Sequence, residues 1–111
     1  MAKSLVLTGI SGSRAGMPTI VSGKLSMIGS TSGCDILLHD RRVLPRHAEI
    51  RVLLDRWFIV PLDAGAMVFV NGTPVNGKQR IDENDLVTVG TATFKVAIQE
   101  EREVGATSWR W

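Results

Sequence analysis

The sequence predicts an all-β fold, a sandwich or a barrel, and three observations lead there. Eleven glycines and four prolines punctuate the 111 residues at short intervals, with brief runs rich in Val, Ile, Leu, Thr and Phe between them. Several of those runs meet at short turn signals, the strongest being Asn71-Gly72. No long window keeps the 3.6-residue apolar period of an amphipathic helix.

The elements follow in chain order. Residues 4–8 alternate apolar and polar and open the fold, and the Gly/Ser-rich stretch 9–16 turns the chain. Residues 19–21 and 25–28 are expected as strands flanking a hairpin turn at Ser22-Gly23-Lys24. Residues 35–38 form a short, mostly apolar strand. Residues 48–53 and 57–61 pair across Leu54-Asp55-Arg56. Residues 67–70 run into Asn71-Gly72, and Val75 leads to a second turn, Asn76-Gly77. Residues 86–89 and 93–98 make the last hairpin, turning at Gly90-Thr91-Ala92. The expected organisation is one domain over residues 1–98 and a charged, Trp-containing tail over 99–111, in which Trp109 and Trp111 are candidate partner contacts.

Composition narrows the function. Hydrophobic residues at 44% and charged residues at 22% are ordinary for a globular domain, which argues against general disorder. A net charge of +2 is too small to argue for nucleic acid. Apolar runs are far shorter than the ~20 residues that cross a bilayer, so membrane insertion is not expected. The start, Met1-Ala2-Lys3-Ser4-Leu5-Val6-Leu7, is too short in its apolar part for a signal peptide. One cysteine, Cys34, excludes an internal disulfide and a cysteine cage and suits a reducing, cytoplasmic setting. Two histidines, His39 and His47, are too few for a His-rich metal site. The chain has no G-x-S-x-G, no G-K-[ST] phosphate loop and no H-E-x-x-H. Neither an enzyme nor a cofactor, metal ion or small-molecule substrate is therefore expected.

Four segments then align with one family. Leu25-Ser26-Met27-Ile28-Gly29-Ser30-Thr31-Ser32-Gly33-Cys34-Asp35-Ile36-Leu37-Leu38-His39-Asp40 resembles the opening signature of forkhead-associated (FHA) domains, I-G-R followed by a polar loop and C-D-I-x-L-x-D. Val43-Leu44-Pro45-Arg46-His47-Ala48-Glu49-Ile50 resembles V-S-R-x-H-A-x-I. Phe69-Val70-Asn71-Gly72 resembles F-V-N-G, and the segment from Ile81 to Gly90 resembles L-x-x-G-D-x-I-x-I-G. The resemblance spans residues 5–98. It implies an FHA-like β-sandwich of about eleven strands in two sheets, whose loops at one end bind phosphothreonine peptides in signalling. In that family an Arg and a Ser hold the phosphate, an Asn holds the peptide backbone, and the His ties loops together. Here Gly29, Asp35, His47, Asn71, Gly72 and Gly90 fall on structural motif positions.

The phosphate-site positions depart from the pattern. The I-G-R arginine falls on Ser30, which has no charge and a shorter reach. The serine falls on Leu44, which donates no hydrogen bond, and the next arginine falls on Pro45. Two registers place the asparagine: Asn71 to Gly77 can match N-G-T-x-V-N-G, or Phe69 to Gly72 can match its end. Spacing to Ile81 favours the second, so the contacting position is Ala66, beside Met67. A degenerate site is expected. The face of Ser30, Thr31, Ser32, Arg42, Leu44, Arg46, Ala66 and Met67 would bind another protein or peptide, a second copy included, without depending on phosphothreonine. Two other readings stand beside it. One is a phosphothreonine reader using Arg41, Arg42 or Arg46; the other is a structural subunit of a bacterial-type secretion or envelope assembly.

Overall fold

In the computed structural model, residues 2–12, 14–21 and 23–101 are described, and they form eleven strands in two sheets. In chain order these are β1 (Ala2–Ser11), β2 (Pro18–Val21), β3 (Leu25–Gly29), β4 (Ile36–Leu37), β5 (Ala48–Leu53) and β6 (Arg56–Pro61). They continue with β7 (Val68–Val70), β8 (Thr73–Pro74), β9 (Gln79–Ile81), β10 (Leu86–Val89) and β11 (Ala92–Glu101). One sheet has the order β2-β1-β11-β10-β7-β8 and the other β4-β3-β5-β6-β9. All pairs are antiparallel except β3 with β4.

Alternation drives the two layers together. Leu5, Leu7, Val87, Val89, Phe94 and Val96 point inward from the first sheet. Ile28, Ala48, Ile50, Trp57, Ile59 and Ile81 point inward from the second, and all are buried. This shared core is the reason the strands close as a sandwich, since burial of each large aliphatic side chain is worth about 1.5–3 kcal/mol.

The turns set the register. Asn71 and Gly72 have φ of 53° and 83° and join β7 to β8 in a two-residue hairpin with Val70 opposite Thr73. The Asn71 side chain also binds the next strand: its Oδ1 accepts from the Leu86 N–H at 2.9 Å, and its Nδ2 donates to Asp85 at 3.0 Å. Leu54 and Asp55 turn the β5–β6 hairpin at φ of 52° and 62°, a conformation without a glycine to relieve it.

Several sequence expectations are corrected. Strands β2 and β3 do not form the hairpin expected across Ser22-Gly23-Lys24, because β2 pairs with β1 in one sheet and β3 with β5 in the other; Ser22 lies outside the described residues. The fourth strand is confined to Ile36–Leu37, since Asp35 spends its side chain on the chain next door: Oδ2 accepts from the Met27 N–H at 2.8 Å. Val75 does lead from β8 towards Asn76-Gly77, where Gly77 has a φ of 82°, and its N–H donates to the Val68 carbonyl at 2.9 Å. Strand β9 was not expected, having a single apolar residue, Ile81, in three. The last hairpin turns on Gly90 and Thr91 alone, with Val89 opposite Ala92. Its final strand runs on to Glu101 because β1 pairs with it as far back as Ala2. Trp109 and Trp111 lie outside the described residues.

Candidate functional site

Three loops converge at the end of the sandwich where β3 stops and β5 begins. They are residues 30–35, residues 38–47 and residues 62–67. His47 joins them. It is fully buried, and its N–H donates to the Ile28 carbonyl at 2.9 Å. Its ring Nδ1 accepts from the Leu44 N–H at 3.1 Å, which puts the ring proton on Nε2, 2.8 Å from the Met67 carbonyl that accepts it. Leu44 passes the connection on, because its carbonyl accepts from the Ser30 N–H at 3.1 Å.

Gly29 permits this closure. A Cβ there would fall on the Pro45 carbonyl oxygen and stand 2.8 Å from the Cys34 sulfur. The Cys34 thiol donates to that same carbonyl at 3.2 Å, so the 30–35 loop is tied to the 38–47 loop a second time. Buried Leu38 and Val43 anchor the longer loop from below.

A further clasp holds this loop to the turn between β10 and β11. The Asp40 carboxylate accepts from the Thr91 hydroxyl, from the Thr91 N–H at 2.7 Å and from the Arg42 N–H at 2.9 Å. Gly90 packs beneath, where a Cβ would meet a Val43 methyl at 2.7 Å and Asp40 Oδ2 at 2.9 Å. Those donors, the Thr91 hydroxyl first and then the Arg42 and Thr91 amides, hold the Asp40 carboxyl below its ordinary 3.8, with the Arg42 charge adding to the effect. A carboxyl with a lowered folded pKa adds stability above the unfolded value, and that contribution is lost as pH falls through the folded one. The clasp is therefore expected to hold at neutral pH and to weaken only below about pH 4. Asp40→Asn should flatten the acid limb of a stability–pH curve measured by urea unfolding, and an unchanged limb would contradict the clasp.

The expected face is brought together in part. Ser30 and Leu44 are half-buried, Thr31 and Ser32 exposed, and Arg41, Arg42 and Arg46 exposed on the Leu44 loop. Met67 is exposed, but Ala66 is buried in a turn whose Asp63 carbonyl accepts from the Ala66 N–H at 2.9 Å. Ala66 and Met67 line a groove of about 420 Å³ with Pro61, Leu62, Pro74 and Val75. Asn71 and Gly72 stand apart, at the opposite end of β7, and Asp35 is engaged with β3. The Asp40–Thr91 clasp and the Pro74–Val75 wall were not read from the sequence. Both depend on partners distant in the chain that carry no local pattern. Among the described residues, no group of three or more His, Cys, Asp or Glu is placed to hold a metal ion. No helix there is long and apolar enough to cross a membrane.

With this geometry in place, comparison with known proteins is informative. Residues 9–100 match the family model described as the inner membrane component of T3SS, cytoplasmic domain. No curated protein matches the chain. Among solved structures, the FHA domain of the CT664 protein from Chlamydia trachomatis is 26% identical. That match has a TM-score of 0.76 and covers 85% of this chain and 96% of the other. The FHA domain of an Arabidopsis thaliana hypothetical protein is 19% identical, with a TM-score of 0.83 over 94% of this chain and 92% of that one. The N-terminal FHA domain of S. cerevisiae Rad53p, solved with a phosphothreonine peptide, is 15% identical, with a TM-score of 0.76 over 86% and 94% of the two chains.

Proposed function

Because the chain belongs to the family of T3SS inner-membrane-component cytoplasmic domains, an FHA-type fold, we propose that it is a non-enzymatic protein-interaction domain of a secretion assembly, working in the cytoplasm and binding its partner without phosphothreonine. The observation that carries this reading is the state of Leu44. Its N–H is committed to His47 and its carbonyl to Ser30, so the group it offers at the loop face is an isobutyl side chain.

A phosphate dianion needs several donors converging on it, each charge-assisted bond worth about 1.5–3 kcal/mol. At the three positions where the resemblance puts those donors stand a serine, a leucine and a buried alanine. Pro45 adds none, having no N–H. Two or three missing bonds of that size weaken phosphate recognition by several powers of ten. The fold is indifferent to the change, because the loops are held by His47, Gly29 and Asp40 and not by a ligand.

The triple variant Ser30→Arg, Leu44→Ser, Ala66→Asn tests this assignment. It is expected to gain at least about tenfold preference for a phosphothreonine peptide over its unphosphorylated form, read by calorimetric titration, from a single restored charge-assisted contact. A folded triple variant with no preference would place the vanished site elsewhere.

A further inference from the structure

We infer that the arc of residues 41–46 receives a carboxylate-rich segment of a partner protein, with an apolar residue of that segment seated over Leu44. This deepens the reading just proposed and rests on it. Arg41, Arg42 and Arg46 are exposed within six residues of chain; among the described residues no close ion pair involves any of them, and only Arg42 has an acidic neighbour its charge acts on, Asp40. Three acidic side chains lie on the converging loops, and all are engaged: Asp35 Oδ2 accepts from the Met27 N–H at 2.8 Å. Asp40 is turned onto Thr91 and the Arg42 amide, and Asp63 Oδ1 accepts from the Gly65 N–H at 2.9 Å.

The arc is also preorganised. The bonds Leu38 N–H to Gly29, Val43 N–H to Asp40, Leu44 N–H to His47 and Ser30 N–H to Leu44 fix its main chain, and Leu38 and Val43 are buried beneath it. With the main chain already fixed, pairing these cations costs side-chain freedom but no loop ordering, which favours association.

The chemistry selects carboxylates over the other anions. A compact phosphate needs donors that meet at one point, and the Leu44 and Ser30 amides that could converge there are already spent. Guanidinium groups spread along an arc match carboxylates spread along a peptide. No aromatic residue lies within 41–46 to stack a base, which counts against single-stranded nucleic acid. A two-fold copy would bring the same arginines face to face, which counts against self-association.

The test titrates the whole chain with four fluorescent probes: a short peptide of alternating Asp, Glu and Leu, its Ser/Leu counterpart, a phosphothreonine peptide and an oligothymidylate. The acidic peptide is expected to bind at least about tenfold tighter than the Ser/Leu peptide. That difference should fall in raised salt and vanish in the double variant Arg42→Glu, Arg46→Glu. Both arginines are exposed, so the variant is expected to fold, and circular dichroism checks it. Equal binding of the acidic and Ser/Leu peptides, indifference to the double variant, or tightest binding of the oligothymidylate would overturn the inference while leaving phosphothreonine independence standing. A marked preference for the phosphothreonine peptide would overturn both.

Discussion

Replacing His47 by alanine is expected to cost about 4 kcal/mol of folding stability, a large part of what a domain of this size has. The substitution leaves the Leu44 N–H and the Met67 carbonyl without these partners in a part-buried place, and each such group costs up to about 1–3 kcal/mol. It also opens a cavity where a fully buried ring stood. His47→Gln keeps one acceptor or donor in reach and is expected to cost about half as much. Urea unfolding measures both, and hydrogen exchange adds a local signature. The Leu44 and Ser30 amides should lose protection in His47→Ala well before the β1–β11 ladder does. A loss under about 1 kcal/mol would mean that the loops are held by something other than this histidine.

Gly29→Ala should come close behind, at about 3 kcal/mol, for a different reason. Its added methyl would collide with the Pro45 carbonyl, and main chain moves less readily than a side chain. The 30–35 and 38–47 loops would have to separate, breaking the Cys34 to Pro45 bond. Gly33→Ala, four residues on, is the control: nothing lies within 4 Å of its Cβ position, and a change within about 0.5 kcal/mol is expected. If the two variants unfold alike in urea, the close approach at Gly29 is not real.

These two residues show how much the sequence made legible. The sandwich was readable because alternation and two-residue turns are local: Ala48–Leu53 and Leu86–Val89 fell where the pattern put them. Strand Gln79–Ile81 was hidden because one apolar residue makes no alternation, and the change of sheet between β2 and β3 was hidden because a short turn looks alike within a sheet and between sheets. His47 and Gly29 were marked as structural through resemblance, yet nothing local tells that the ring reaches Met67, twenty residues on. Asp40 and Thr91, 51 residues apart, carry no periodic signal at all. Contacts between loops are set by the closure of the sandwich, so they become visible only once the sheets are in place.

Functional meaning turns on one question, whether the loop face still senses a phosphate. The most direct measurement is backbone amide NMR of the unaltered chain during titration with a phosphothreonine peptide and with the same peptide unphosphorylated. The amides of Ser30, Leu44 and Arg46 are expected to respond equally, or not at all, to the two. Shifts at those amides that require the phosphate, with micromolar affinity, would contradict the account.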